Sequence, residues 1–192
     1  NVETLSNLPF IMNSGAAAFR KFGTEKSPGT KLISASGHIN KPGVYEVAMG
    51  LPVHTFIEEH LGGIWKGRKL KAMVPGGSSF QVLTAEETEK CCLDFESCAG
   101  CGTSLGSGGF YAMDETTCMV KMLMFTAKFY AHESCGQCTP CREGTGWISQ
   151  IVRRIEEGHG RERDLELLIN ISNNMAGGKT ICVFADALAL PV

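Results

Sequence analysis

The sequence predicts an α+β fold: a small mixed sheet with one helix across it, followed by a small helical bundle. Three observations carry this. Lys31–Ile39 and Val44–Val47 flank Asn40-Lys-Pro-Gly43, a strand–turn–strand signal in which Pro42 fixes φ and Gly43 can take positive φ. Two more short apolar runs, Lys69–Val74 and Phe80–Leu83, surround Pro75-Gly-Gly-Ser-Ser79. From Asp114 onward apolar residues recur at helical spacing.

Taken in order, residues 3 to 22 read as a helix, with Leu5, Leu8, Met12, Ala16 and Phe19 near helical spacing. Gly23 and Ser27-Pro28-Gly29 end it. After the first strand pair, Leu51–Leu61 reads as a short helix with Val53, Phe56 and Ile57 on one face. Residues 96 to 109 are rich in Gly, Ser and Cys and read as a linker or a backbone-driven binding loop, with a further strand at Gly108–Met113. A helix over 115 to 131 is apolar nearly all round and is expected to be largely buried. A second, Thr139–Glu157, carries the stripe Trp147, Ile148, Ile151, Val152 and Ile155. A third, Arg163–Met175, uses Leu165, Leu168, Ile169 and Met175, and a fourth begins near Thr180.

Composition bounds the function. Hydrophobic residues make 43% and charged residues 20% of 192 positions, which describes a folded chain rather than a disordered tail. A net charge of −2 gives no electrostatic reason to expect nucleic acid. No apolar run reaches membrane-spanning length, since Lys121 and Lys128 interrupt the longest, so direct membrane insertion is not expected. The chain starts at Asn1 and stops at Val192, and both ends are expected to be cut from something longer. Nine cysteines without a secretory segment point to a reducing cytoplasmic setting and a metal centre.

The most informative stretch is Glu133-Ser-Cys-Gly-Gln-Cys-Thr-Pro-Cys-Arg-Glu-Gly144. Cys135, Cys138 and Cys141 repeat every third residue, which suits three corners of a cubane [4Fe–4S] cluster, because each thiolate must reach a different iron. The fourth iron needs a distant thiolate, for which Cys182 is the candidate; a buried core cysteine is the other reading of that residue. Structural zinc would more often use two separated Cys-x-x-Cys pairs, and a disulfide framework would need an oxidising compartment. Thr139 reads as a helix N-cap with Pro140 at the first helical position, so the free N–H groups of that turn would face the sulfurs. Gly136 would let the loop wrap closely, and Arg142 is read equally as a compensating charge or a solvated residue.

Other features carry less. Gly178-Lys179-Thr180 ends like a phosphate loop but lacks its first glycine and its strand. His38, His54, His60, His132 and His159 form no ligand set, and Cys118 reads as core. Cys98-Ala-Gly-Cys101, with Cys91 and Cys92, raises a second metal or redox site on weaker spacing.

The thiol motif resembles the signature of the NADH-binding flavoprotein subunit of respiratory complex I, a family related to subunits of NAD-linked hydrogenases and formate dehydrogenases. Similar segments run along the chain: Asn1-Val-Glu-Thr-Leu5, Ser36-Gly-His-Ile39 with Pro42-Gly-Val-Tyr45, Pro75-Gly-Gly-Ser-Ser79, Leu105-Gly-Ser-Gly-Gly109 and Thr117-Cys-Met-Val120. The resemblance implies a β-grasp (SLBB-like) domain over 31–85 and a four-helix bundle carrying the iron–sulfur cluster over 113–192, joined by a linker at 86–112. It implies that residues 1–30 form a connecting helix from an FMN- and NADH-binding domain whose flavin motif is absent here. NADH would pass a hydride to FMN, and FMN single electrons through the [4Fe–4S] cluster to a ferredoxin-like iron–sulfur partner subunit. Asn1 and Thr4 would touch the flavin edge, the fragment alone would not be catalytically competent, and the parent would be peripheral on a cytoplasmic membrane face. Cys98 and Cys101 depart from the family pattern, where small or apolar residues are usual. The competing expectation is a non-redox binding module with a structural zinc.

Overall fold

The computed structural model describes residues 2–192, and its chain separates into two compact units, 1–77 with 82–115 and 78–81 with 116–192. The first unit begins with three short helices, α1 (Val2–Ser6), α2 (Leu8–Ser14) and α3 (Ala16–Phe19), rather than one. Gly15 at φ 84 breaks the run between α2 and α3, and none of the three buries a residue. Helical periodicity alone therefore overstated the continuity of residues 3 to 22. Glu3 ties α1 down, its carboxylate accepting from Lys31 Nζ at 2.8 Å and the Leu32 amide at 2.7 Å.

Strands form at Thr30–Gly37, Gly43–Ala48, Leu70–Val74 and Gly109–Asp114, close to the expected runs, whereas Phe80–Leu83 is strand only from Leu83 and Leu51–Pro52 is strand where a helix was expected. β1 (Thr30–Gly37) pairs antiparallel with β2 (Gly43–Ala48), from Thr30 opposite Ala48 to Ala35 opposite Gly43. Ile33 and Ala35 are buried while Leu32 and Ser34 are exposed, so the period-2 pattern sets which face meets the core. A two-residue strand β3 (Leu51–Pro52) precedes a short helix α4 (Val53–Thr55), which continues as a π-helical turn over Phe56–His60. β4 (Leu70–Val74) and β5 (Leu83–Thr84) are antiparallel partners.

Residues 96 to 109 are not a plain linker. After β5 come α5 (Ala85–Thr88), β6 (Cys92–Leu93) paired with β3, and α6 (Phe95–Gly100). Thr84 and Glu87 form a capping box on α5, and Asp94 caps α6 by accepting from the Ser97 amide at 2.6 Å. β7 (Gly109–Asp114) then enters the sheet centre, giving the order β2-β1-β7-β4-β5 with β1 and β7 parallel. At Gly37, φ 89, a Cβ would meet the Ala112 carbonyl oxygen at 2.2 Å, so only glycine fits the β1–β7 contact there. The core gathers Ile33, Val53, Phe56, Leu61, Leu93 and Phe110, with the Phe56 and Phe110 rings edge to face at 5.4 Å.

The second unit contains α7 (Met119–Glu133), α8 (Thr139–Glu156), α9 (Asp164–Met175) and α10 (Phe184–Ala189). Their common core is Ala127, Tyr130, Ile148, Ile151, Val152, Leu168, Met175, Ala185 and Leu188. The apolar character of α7 did not translate into burial: only Ala127 and Tyr130 are buried, and Phe125 remains 57% exposed. The α8 stripe holds at Ile148, Ile151 and Val152 but leaves Trp147 exposed, and on α9 Leu168 and Met175 are buried while Leu165 and Ile169 are not. Gly144 lets α8 and α9 approach, since a Cβ there would meet Met175 Sδ at 2.4 Å. Buried Asp164 accepts from Arg154, which holds its carboxyl below the usual range. Among the described residues, no helix is long and apolar enough to cross a membrane.

Candidate metal centre

The thiol loop joins α7 to α8. Ser134 is the C-cap of α7, and its hydroxyl lies 3.3 Å from Cys141 Sγ and accepts from the Gly136 amide at 3.4 Å. Gly136 at φ 77 turns the loop, a conformation that disfavours any residue with a Cβ. Cys138, in extended conformation, is the N-cap of α8, one residue before the cap expected from sequence, so Thr139 and Pro140 both lie in the first turn. Cys141 also sits in that turn. The loop thus delivers its last two sulfurs to a helix N-terminus, where unpaired N–H groups and the helix dipole stabilise negative charge.

Arg142 is exposed yet ordered. Its Nη1 donates to the Gly136 carbonyl at 2.9 Å and its Nε to Glu143 at 2.9 Å, so it braces the loop as well as adding positive charge.

The distant fourth thiol lies between α9 and α10. Gly177 and Gly178, both at positive φ, turn the chain out of α9, and the Gly177 amide donates to Asp186 Oδ1 at 2.8 Å. Cys182 is exposed, as are Ile181 at 85% and Val183 at 79%, so it is not a core cysteine. The Ile181 amide donates to Cys138 Sγ at 3.4 Å, which brings the segment bearing Cys182 against the thiol loop. Neither this backbone contact nor the Ser134 contact was read from the sequence. Ser134 was visible in the motif, but its orientation depends on where α7 ends.

Burial grades the thiols: Cys135 and Cys182 are exposed, Cys138 is intermediate and Cys141 is buried. Among the described residues no three His, Cys, Asp or Glu side chains converge on one ion. A tetrahedral zinc would need its thiolates about 3.8 Å apart, given Zn–S bonds near 2.3 Å. A cubane takes each thiolate on a separate iron, so the donors stand wider. Four free thiols, one at the N-cap of a helix and one in its first turn, with an amide already on one sulfur, fit that anionic cluster.

Other sequence expectations come out differently. Cys118 is exposed, its thiol 3.4 Å from Glu156 Oε2, and is not core. Thr4 is exposed on α1 and lines an open cavity of about 390 Å³ with Glu3, Lys31 and Phe95. Asn1 lies outside the described residues.

Residues 121–192 match the family model described as the NADH-ubiquinone oxidoreductase-F iron–sulfur binding region, and residues 31–97 match the SLBB domain. The chain is 45% identical to the second NADH-quinone oxidoreductase F subunit of Rhizobium meliloti (strain 1021), across 99% of this chain and 45% of that protein. It is 43% identical to the NADH-quinone oxidoreductase F subunit of Mycobacterium tuberculosis (strain ATCC 25618 / H37Rv), across 100% of this chain and 42% of that one. The chain carries the iron–sulfur binding region and the SLBB domain of these models, and along its whole length it is similar to part of the F subunits.

It spans slightly under half the length of these F subunits. The same fold occurs in the crystal structure of an air-oxidized NAD+-reducing [NiFe]-hydrogenase, with a TM-score of 0.87 and 32% identity over all of this chain and 32% of that one. The matched SLBB region ends at 97, beyond the residue-85 boundary expected from sequence, and so takes in α5, β6 and the start of α6.

Proposed function

We propose that Cys135, Cys138, Cys141 and Cys182 hold a [4Fe–4S] cluster at the end of a four-helix bundle, and that this chain is the electron-conducting part of an NADH-oxidising flavoprotein. The observation that carries the reading is the Ile181 amide on Cys138 Sγ, which draws the Cys182 turn to a loop whose other sulfurs lie at a helix N-terminus. The F-subunit relatives, at 39–45% identity against 32% for the hydrogenase, favour a parent of the quinone-reducing kind.

When bound, the cluster supplies a one-electron centre beside a two-electron flavin. The chain's own residues do the rest. Four thiolates anchor it, the first-turn amides of α8 and the Ile181 amide offset the negative charge, and Arg142 fixes the Gly136 carbonyl so that the loop keeps its curvature. Reduced FMN, bound by a portion of the parent outside this chain, is the electron donor. Thr4 would be its contact among the described residues, and a ferredoxin-like iron–sulfur subunit would be the acceptor. The parent sits peripherally at a cytoplasmic membrane face through its partner subunits.

Anaerobic reconstitution of the full chain with iron and sulfide tests this. The expected product binds iron and sulfide in the cubane ratio, absorbs broadly in the visible, bleaches with dithionite and then gives a paramagnetic resonance signal. Cys182→Ser should lose most of that iron. Full loading of this variant would move the fourth ligand elsewhere, and one zinc per chain without redox signals would favour a structural module.

A further inference from the structure

The sheet unit holds a second group of thiols. Cys91, just before β6, places its Sγ 3.7 Å from Cys98 Sγ on α6, and both residues are buried. Cys101 is the C-cap of α6, three residues after Cys98 and so on the same face of the helix. It packs against the core cluster that contains Cys91 and Cys98. Unlike the other two it is half-buried, and it lines an open cavity of about 500 Å³ with Glu87, Lys90, Ser97 and Gly100. A buried cysteine is ordinary packing. A thiol that opens on a cavity and is backed by a second thiol is the arrangement of a disulfide-exchange centre.

We propose that Cys101 exchanges with small-molecule disulfides and that Cys91 is its resolving thiol. The Cys101 thiolate attacks one sulfur of the small disulfide, forming a mixed disulfide and releasing one small thiolate. Cys91 then gives up its proton, attacks Cys101 Sγ and releases the second small thiolate. One small disulfide is reduced to two thiols, and the two cysteines are oxidised to one intramolecular disulfide. Both protons leave with the small thiols.

A reagent entering the cavity meets Cys101, whereas the Cys98 thiol is buried and donates to the Cys92 carbonyl at 3.4 Å. The cavity presents one cation, Lys90, and one anion, Glu87, a pairing suited to a zwitterionic or amino-acid-derived disulfide. Burial and the neighbouring Cys91 push the Cys101 thiol up, against Lys90, which favours the thiolate, and the contact with Cys98 together with burial pushes the Cys91 thiol strongly up. Exchange should therefore quicken as pH rises.

The test treats the full chain with glutathione disulfide, quenches with an alkylating agent and maps peptides after trypsin and Glu-C digestion. Cleavage after Lys90 and Glu96 separates Cys91 from Cys98 and Cys101. A glutathione adduct should appear first on Cys101, followed by a peptide linked through Cys91 and Cys101. Cys91→Ala should stop at the adduct, Cys101→Ala should slow both products at least about tenfold, and Cys98→Ala should keep both. A linkage forming equally fast in Cys101→Ala overturns the proposal. So does a Cys91–Cys98 link with Cys101 never modified, or a folded chain that stays unmodified where its unfolded form reacts.

Discussion

Cys91 and Cys98 lie in the sheet core with their sulfurs 3.7 Å apart, whereas Cys135 and Cys182 stand exposed in connections between helices of the other unit. In the first group each sulfur is satisfied by a neighbouring thiol or a carbonyl. In the second, the backbone contact seen on a sulfur among the described residues is an amide donor, and the loop and turn that present the thiols are held by Arg142 and Asp186. The contrast teaches that the thiols proposed as ligands differ from the core pair less in spacing than in the partners their sulfurs have. Spacing distinguishes the groups less sharply, since Cys98-x-x-Cys101 and Cys138-x-x-Cys141 share the same interval.

The largest effect expected from breaking this contrast is at Cys141. Cys141→Ser should reduce bound iron to background and loosen the helical unit, because ligation and folding are coupled. Cys91→Ala should leave the iron content unchanged. Equal iron loss from both variants, measured after reconstitution, would erase the distinction.

The sheet unit should be most sensitive at its apolar centre. Phe56, fully buried and edge-on to Phe110, should cost about 3–5 kcal/mol when truncated to Ala. Denaturant unfolding followed by circular dichroism would measure it, with iron retention reporting the helical unit. Loss of iron alongside the stability would show that the two units do not unfold independently.

What was legible in the sequence follows this division. β1, β2, β4 and β7 were readable because alternation is a local signal, although Gly43, expected in the turn at positive φ, is the first residue of β2 and takes no positive φ. The thiol triad stood out because Cys135, Cys138 and Cys141 fall in one short motif. α5, β6 and α6 were missed: they are short, capped by Thr84 and Asp94, and they bury Cys98 through tertiary contacts rather than through a repeat. The burial of α7 was overestimated for the complementary reason. Composition gives a helix's apolarity, but which side finds a partner depends on the whole fold.

A smaller effect is expected at the α8–α9 contact. Gly144→Ala places a Cβ against Met175 Sδ and Cγ, at 2.4 and 2.7 Å, so the methionine must move. The overpacking should cost about 1–3 kcal/mol of helical-unit stability. Pairing it with Met175→Ala should recover part of that cost, as a double-mutant cycle would show. No recovery would mean that the α8 backbone, rather than the methionine, absorbs the clash.

The smallest effect says most about the thiol loop. Gly136 takes φ 77, and a Cβ there would meet only Arg142 Cδ, at an ordinary 3.7 Å. Gly136→Ala in the metal-free chain should therefore cost only the left-handed backbone term, about 1–2 kcal/mol. Gly178→Ala, at φ 76 with nothing within 4 Å of its Cβ, is the matched control on the Cys182 side. If the cubane is wrapped by the loop, Gly136→Ala should become costlier than Gly178→Ala once iron and sulfide are loaded, because the added methyl then points into an occupied space. Unfolding of both variants, with and without the metal, gives that difference directly. Identical costs in both states would place the loop's inner surface away from the cluster and leave the sulfurs alone to hold it.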